Sequence, residues 1–504
     1  MTEPASDLTA TTVLPETQPG VGIARVDTTS LTRMTHELSS EQGARLADLF
    51  ATEAGDDAAT FRVVYALDRE QRYVVLESVV SGQRSPALSQ SDPAAFVEEC
   101  EIYEQFGIRP ADGRSMNRVL TAPGTNRRLG WRGQGRDGRP DRAHAPHLVE
   151  GEAIEFPFGP VRAVGWESLY TGLVTTGEEV LDLYLFYWHK HRGIERRLVG
   201  RTPERALFFV ERADGLNAIG NGLAFCHALE AAAGSDPPAP AAHARSIALE
   251  LERIYNHTAA IAAVCQATGL SVGQAGVEIV LEDLLRLNAA AFGHRYLFGV
   301  LAPGGVRRAP DRDAIRGRLE RHCDELQRVA HALLHTNSHV DRLEATGVLE
   351  LDVPRRLGLV GPIARACGAE LDSRRDHPFA PYDQLVPAVA AAQQGDVLSR
   401  MQVMLAEVAE SERLIFEQLD ESGVAATPVT PRSAEGLGWA ESPRGESLIW
   451  LALDDDGDIA RLRLRPASVR NWRAFDDAAR SQNVFTDIPI IEASFWLTVA
   501  GGAR

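Results

Sequence analysis

Glu211-Arg212-Ala213-Asp214-Gly215-Leu216-Asn217 lies inside a helical pattern that runs from Thr202 to Ala233. Asp214 and Asn217 stand three residues apart and offer a carboxylate and an amide. Soft metals such as nickel are held by sulfur, and neither side chain supplies it. The stretch therefore sets polar groups among apolar helical segments without the donors of a soft-metal centre.

Working outward, long helical patterns follow over Ala241 to Thr268, Gly273 to Phe298, Asp311 to Thr336 and Leu385 to Leu419. Their breaks are the loop from Gly234 to Pro240, Gly269-Leu270-Ser271 and Pro303-Gly304-Gly305. Ala153 to Val164 and Ser168 to Leu185 read as strands. Ile449 to Leu453 and Ile459 to Leu464 read as a hairpin around Asp454-Asp455-Asp456-Gly457-Asp458. Residues 151–504 are thus expected to form a mainly helical bundle with small peripheral antiparallel sheets. Ahead of it, residues 1–28 read as a disordered tail, and Leu38 to Ala54 as an amphipathic helix. Thr60 to Leu67 and Tyr73 to Val80 read as strands. Asp92-Pro93 opens a helix that carries Ala94 to Phe106 and stops at Gly107. Residues 29–120 make a small α/β domain, and residues 121–150, rich in Gly, Arg, Asp and Pro, a linker. The fold class is α+β.

The 504 residues are 44% hydrophobic and 24% charged, with a formal net charge of -18. That balance argues against a nucleic-acid partner, which needs a basic face. The five cysteines are Cys100, Cys226, Cys265, Cys323 and Cys367; the closest two are 39 residues apart. No Cys-x-x-Cys pair exists to hold zinc or an iron-sulfur cluster from this chain alone. An odd, scattered set fits a reducing compartment. Residues 1–22 lack the basic and apolar regions of a secretory signal, and no run of about 18 apolar residues spans a bilayer. Any membrane association is expected to go through a partner.

Several short motifs then recur in the order of one family. His191-Arg192-Gly193-Ile194-Glu195, Leu251-Glu252-Arg253-Ile254-Tyr255-Asn256-His257, Gly361-Pro362-Ile363-Ala364-Arg365-Ala366-Cys367-Gly368 and Glu441-Ser442-Pro443-Arg444-Gly445 resemble motifs of energy-converting (group 4) nickel-iron hydrogenase large subunits. The segment from Asp372 to Pro378, with Tyr382, resembles formate hydrogenlyase large subunits. Glu101-Ile102-Tyr103-Glu104-Gln105-Phe106-Gly107-Ile108 resembles a helix of the small hydrophilic (C-type) subunit of respiratory complex I. The chain is therefore similar to the fused C–D, quinone-site subunits of that complex over roughly residues 60–500.

In the resembled hydrogenases the stretch at Arg212 reads Arg-x-Cys-Gly-x-Cys, so Asp214 and Asn217 occupy its two thiolate places. A second Cys pair is expected where Ile488 to Ser494 and Phe495-Trp496-Leu497-Thr498 stand, and both thiolates are again absent. No metal ligands are assigned. Against the complex I quinone site, the headgroup His place falls on Arg162 and the Tyr place on Pro203. The resemblance implies catalytic roles for Glu195, Asp214 and Arg444, with Glu195 as a proton relay. It implies substrate-binding roles for Arg162, Arg192 and His191, and quinone as a possible ligand. It further implies a small iron-sulfur subunit carrying the proximal cluster, membrane proton-translocating subunits, and NADH or formate chemistry on other subunits. The expected place is the cytoplasmic, inner face of the cell membrane, as part of an oxidoreductase complex with no standalone activity. The rival expectation is a non-catalytic coupling subunit whose cleft is a relic, with the charged residues a buried ion-pair network.

Other clusters favour plainer readings. His189 and His191 could clamp a metal from one strand face, but His191 is more simply the family's structural His. His331, His335 and His339 recur every four residues and are expected to form a solvated stripe. Asp454-x-Asp456-x-Asp458 mimics the start of a calcium loop, yet Gly457 and Arg465 are misplaced for one.

Overall fold

The computed structural model describes residues 16–55, 58–116, 119–120, 153–162, 167–186, 190–430, 433–480 and 482–504. The linker expected over 121–150 and the candidate His189 both lie outside these residues. The chain forms two compact units. The first holds Met1–His147, Phe186–His191 and Arg355–Gly358, and the second holds Leu148–Leu185, Arg192–Pro354 and Leu359–Arg504. The architecture is α+β.

The first unit is built on a five-stranded sheet of order β1-β2-β5-β4-β3: β1 (Glu16–Gln18), β2 (Val21–Arg25), β3 (Arg45–Glu53), β4 (Ala58–Leu67) and β5 (Arg72–Ser81). Helix α1 (Thr28–His36) lies between β2 and β3 in the chain, capped by Asp27, whose carboxylate accepts from Thr29 N and Ser30 N. Two expectations are corrected. Residues 16–28 are not a tail, because β2 pairs in parallel with β5 over Val21–Arg25 and buries Val21 and Ala24. Leu38 to Ala54 is not one helix: helical turns continue only to Glu41 and a strand begins at Arg45. Its run Leu46 to Thr52 is buried throughout as β3, and a strand covered on both faces reads as continuous apolar sequence rather than as alternation. Helix α2 (Phe96–Phe106) forms as expected: Asp92 caps the turn before it, and Gly107 ends it at φ 71°.

The second unit opens with a three-stranded sheet, β6 (Ile154–Phe158), β7 (Tyr170–Thr175) and β8 (Val180–Phe186), in the order β8-β7-β6. Short helices α3 (Ile194–Leu198) and α4 (Pro203–Val210) precede α5 (Ala218–Ala233), α6 (Ala239–Ala267), α7 (Ser271–Phe292) and α8 (Leu319–Leu334). The pattern from Thr202 to Ala233 is therefore two helices, parted at residues 211–217. Helix α6 is 29 residues long, about 44 Å. It is buried on every side from Ala241 to Thr258, which marks it as the central helix of the unit. Helices α9 (Gly361–Arg365) and α10 (Val397–Gln418) follow; residues 385–396, expected to be helical, are not. The second sheet is β9 (Glu435–Ser442), β10 (Gly445–Leu453) and β11 (Ile459–Arg465), antiparallel throughout, with the expected hairpin turn at residues 454–458. Helix α5 packs on β9, where Gly436 and Gly438 leave no side chain between strand and helix backbone. Helices α11 (Ala467–Asn471), α12 (Ile488–Phe495) and α13 (Val499–Gly502) complete the unit.

Candidate functional site

The turn of residues 211–217 delivers Asp214, and the β9–β10 turn delivers Arg444. Both are buried, with Arg444 Nη1 3.8 Å from Asp214 Oδ2. Asp214 Oδ2 also accepts from Thr498 Oγ1 at 2.7 Å. The places of the two expected Cys pairs are thus brought into contact through a carboxylate and a hydroxyl. Arg444 Nε donates to Trp496 O, and Nη2 to Asn256 Oδ1 at 3.4 Å. Trp496 sits in the left-handed region at φ 49°, and its indole N–H reaches the same Asn256 oxygen at 3.3 Å. A tryptophan held there stores backbone strain of about 1 kcal/mol, maintained by these contacts. Among the described residues, no donor reaches Asp214 Oδ1 and no acceptor within hydrogen-bond reach meets Arg444 Nη1. Buried groups of this kind are ordinarily satisfied, so one open acceptor and one open donor in the same place mark a polar site.

Arg192 joins this site through backbone. Its Nη2 donates to Ala213 O and to Ala500 O, and its Nε to Ala503 O at 3.1 Å. Burial lowers its pKa, opposed by the charges of Asp214 and Glu167. Glu167 was not among the expected residues. Its carboxylate accepts from Val499 N and Ala500 N at the start of α13, and burial, then Asp214, pushes its pKa up.

Arg162 is placed differently from the expectation. Nη1 meets both oxygens of Glu492 at 2.8 and 2.7 Å, and Nε and Nη2 both donate to Glu167 O. The guanidinium thus ties Glu492 of α12 to the Glu167 carbonyl, a structural clamp rather than a free headgroup donor. Glu195 accepts from Leu464 N at 2.9 Å and pairs with Arg504 at 3.0 Å, so its carboxylate is bound away from Asp214 and Arg444. His191 is half-buried and belongs to the first unit, whereas the other five candidates belong to the second.

Behind the site, α6 presents Glu252 and Asn256 one turn apart on one face. Asn256 Nδ2 donates to Leu216 O at 2.8 Å. Glu252 accepts from Ile219 N and Gly220 N, each at 2.8 Å. The spacing within Leu251-Glu252-Arg253-Ile254-Tyr255-Asn256-His257 was the sequence signal for this pair. Deeper still lies a buried ion network of Glu250, Arg253, Arg365, Asp372, Arg374, Glu407 and Glu441.

Oxygen and nitrogen donors fill the site. All five cysteines are buried and lie at other positions. Among the described residues, no group of three or more His, Cys, Asp or Glu could hold a metal ion. A nickel-iron centre, which needs thiolates, does not fit these residues. The histidine stripe holds only in part: His331 and His335 are exposed, and His339 is not. His331 and His335 stack with ring centroids 4.0 Å apart, but the helix ends at Leu334, and His339 is buried in another helix against Thr268 Oγ1 at 3.0 Å.

Fold and site together define an α+β protein whose buried polar site is lined by oxygen and nitrogen donors. Comparison with known proteins gives the family. The profile described as "Respiratory-chain NADH dehydrogenase, 49 Kd subunit" matches residues 280–433, and the "Respiratory-chain NADH dehydrogenase, 30 Kd subunit" profile matches residues 24–134. The carbon monoxide-induced hydrogenase of Rhodospirillum rubrum is 31% identical over 66% of this chain and 95% of its own. Formate hydrogenlyase subunit 5 of Escherichia coli (strain K12) is 27% identical over 90% of this chain and 84% of its own. The D-type subunit of NADH-quinone oxidoreductase from Dehalococcoides mccartyi is 29% identical over 60% of this chain and 86% of its own. The chain belongs to the family of energy-converting (group 4) hydrogenase large subunits and the homologous C–D subunits of respiratory complex I.

Proposed function

We propose that this chain is the large subunit of a membrane-associated, complex I-like or formate hydrogenlyase-like oxidoreductase complex that passes electrons to quinone or a related acceptor without a nickel-iron centre. It packs on a small iron-sulfur subunit, which carries the proximal cluster, and associates with the inner face of the membrane through proton-translocating partners. No helix among the described residues is long and apolar enough to cross a membrane, which supports attachment through partners. The observation that carries this reading is the open pair of Asp214 Oδ1 and Arg444 Nη1 in a site without sulfur. Arg444 would donate to a headgroup carbonyl oxygen and stabilise negative charge as it develops there. Asp214 would accept from the hydroxyl of the reduced form.

A second reading, a non-catalytic coupling subunit, is favoured by the full engagement of Arg162, Arg192 and Glu195 with other groups. Quinone-dependent turnover of the purified complex separates the two. With Arg444→Ala or Asp214→Ala in an intact assembly, the rate is expected to fall by about 100-fold, the usual cost of losing one charge-stabilising group. An unchanged rate would favour the non-catalytic reading. Nickel at one equivalent per chain in metal analysis would overturn the sulfur-free account of the site.

A further inference from the structure

Helix α5 begins immediately after the turn that carries Asp214 and Asn217. A helix start exposes four unpaired N–H groups and partial positive charge. Asn217, the residue in the capping position, makes no side-chain bond to them. The cap comes instead from α6: Glu252, fully buried, takes one N–H on each carboxylate oxygen, from Ile219 and Gly220. One turn along α6, Asn256 holds Leu216 O and the Arg444 guanidinium. Glu252 and Asn256 therefore grip the 216–220 segment, which follows Asp214, at its two ends, and the second of them also touches Arg444.

We propose that Glu252 is a positioning residue for the Asp214–Arg444 site: its ionised carboxylate fixes the first turn of α5, and proton uptake there loosens the turn that carries Asp214. A protonated carboxyl accepts well on one oxygen only, so one of the two caps is lost. The charged groups facing Glu252 are Arg444 from the β9–β10 turn and Asp214 from the turn before α5, with Tyr255 on its own helix. Glu250, Arg253 and His257 engage Arg374 and Glu407 instead. Burial pushes the Glu252 carboxyl up to about 8; the two backbone N–H groups and Arg444 pull it down, and Asp214 raises it. Its proton therefore exchanges near neutral pH, and its charge follows the charge held at Asp214 and Arg444. This makes Glu252 a proton-responsive carboxylate behind the site, the role the sequence suggested for Glu195.

The test reads the carboxyl group directly and needs no turnover, so it stands or falls apart from the quinone reading. Infrared difference spectra of the full chain in its complex are recorded across a pH titration. A protonated-carboxyl band is expected to vanish with a midpoint near 8 in the native protein, and to be missing in Glu252→Gln. Asp214→Asn removes a like charge and is expected to lower that midpoint. Amide exchange of residues 214–220, corrected for its intrinsic pH dependence, is expected to speed up below the midpoint in the native protein and to lose that step in Glu252→Gln. A component with a midpoint near 8 that survives Glu252→Gln beside those of Glu99 and Glu441 near 7, a midpoint unmoved by Asp214→Asn, or exchange without a step would overturn the proposal. The Asp214→Asn shift keeps the test decisive if Glu252→Gln fails to assemble.

Discussion

Arg365→Met is expected to lower the stability of the protein by about 3–5 kcal/mol, read as a reduced urea midpoint with the slope unchanged. Arg365 is fully buried in the centre of the ion network. Its Nε meets Glu407 at 2.8 Å, its Nη1 meets Glu441 at 2.9 Å and Leu371 O at 2.6 Å, and Asp372 lies 3.6 Å away. Methionine fills similar space but leaves three carboxylates facing one another without that charge. Removing one partner of a buried pair costs far more than the pair itself contributes. Arg413→Met is the control. Arg413 pairs with Glu410 and Glu417 on an exposed helix face, and its loss should stay within about 0.5 kcal/mol.

The same variant changes the response to acid. Burial alone would raise the Glu407 carboxyl, but Arg365, His257 and Arg253 override it and hold it at about 2. Glu250 is likewise held at about 2, chiefly by Arg374 and Arg253 against burial. Carboxyls depressed in the folded state contribute stability that is complete above their unfolded value near 4.5 and is lost as pH falls toward 2. In Arg365→Met the Glu407 share of that loss shrinks, with His257 and Arg253 still in place, so the acid limb between pH 4.5 and 2 is expected to flatten while the Glu250 share remains. An acid limb as steep as in the native protein would show that Arg365 does not set the Glu407 charge.

The fold class was legible because its strongest signals are local. Asp92 before Pro93, Gly107 after Phe106, and the polar turn of residues 454–458 each carry a backbone reason to start or stop an element. The errors fell where tertiary contact decides. β2 forms because β5, far along the chain, offers it a parallel edge, which no local pattern announces. β3 is covered on both faces, so its uninterrupted run of buried residues could pass for a helix. In the site, Asp214 and Arg444 could be paired because each stood in a recognisable motif. Arg162 and Glu195 could not be excluded from sequence, since Glu492 and Arg504, their partners, lie 330 and 309 residues away. Thr498 stood in plain view beside the absent thiolates, but only the structure seats its hydroxyl on Asp214.

Gly361→Ala is expected to cost about 3 kcal/mol or more, whereas Gly107→Ala should cost only about 1. The two glycines have nearly the same backbone, φ 73° and 71°, so both pay the same penalty for a side chain in the left-handed region. Their surroundings differ. A methyl group at Gly107 meets nothing within 4 Å. At Gly361 it would strike the Arg444 carbonyl and come within 2.6 Å of Gly445 N. That neighbour cannot withdraw, because the Asn471 side chain ties the two segments together. Asn471 Nδ2 donates to Val360 O at 3.0 Å and to Arg444 O at 3.1 Å, and Oδ1 accepts from Val360 N at 3.1 Å. Strain at Gly361 is therefore passed to the backbone of Arg444, whose guanidinium faces Asp214. Urea unfolding of both variants isolates the packing cost as their difference. Turnover of the assembled complex is expected to fall with Gly361→Ala and to hold with Gly107→Ala. Equal destabilisation by the two substitutions would mean that the Gly361 and Arg444 segments are not held backbone to backbone, and that Arg444 owes its position to its side-chain partners alone.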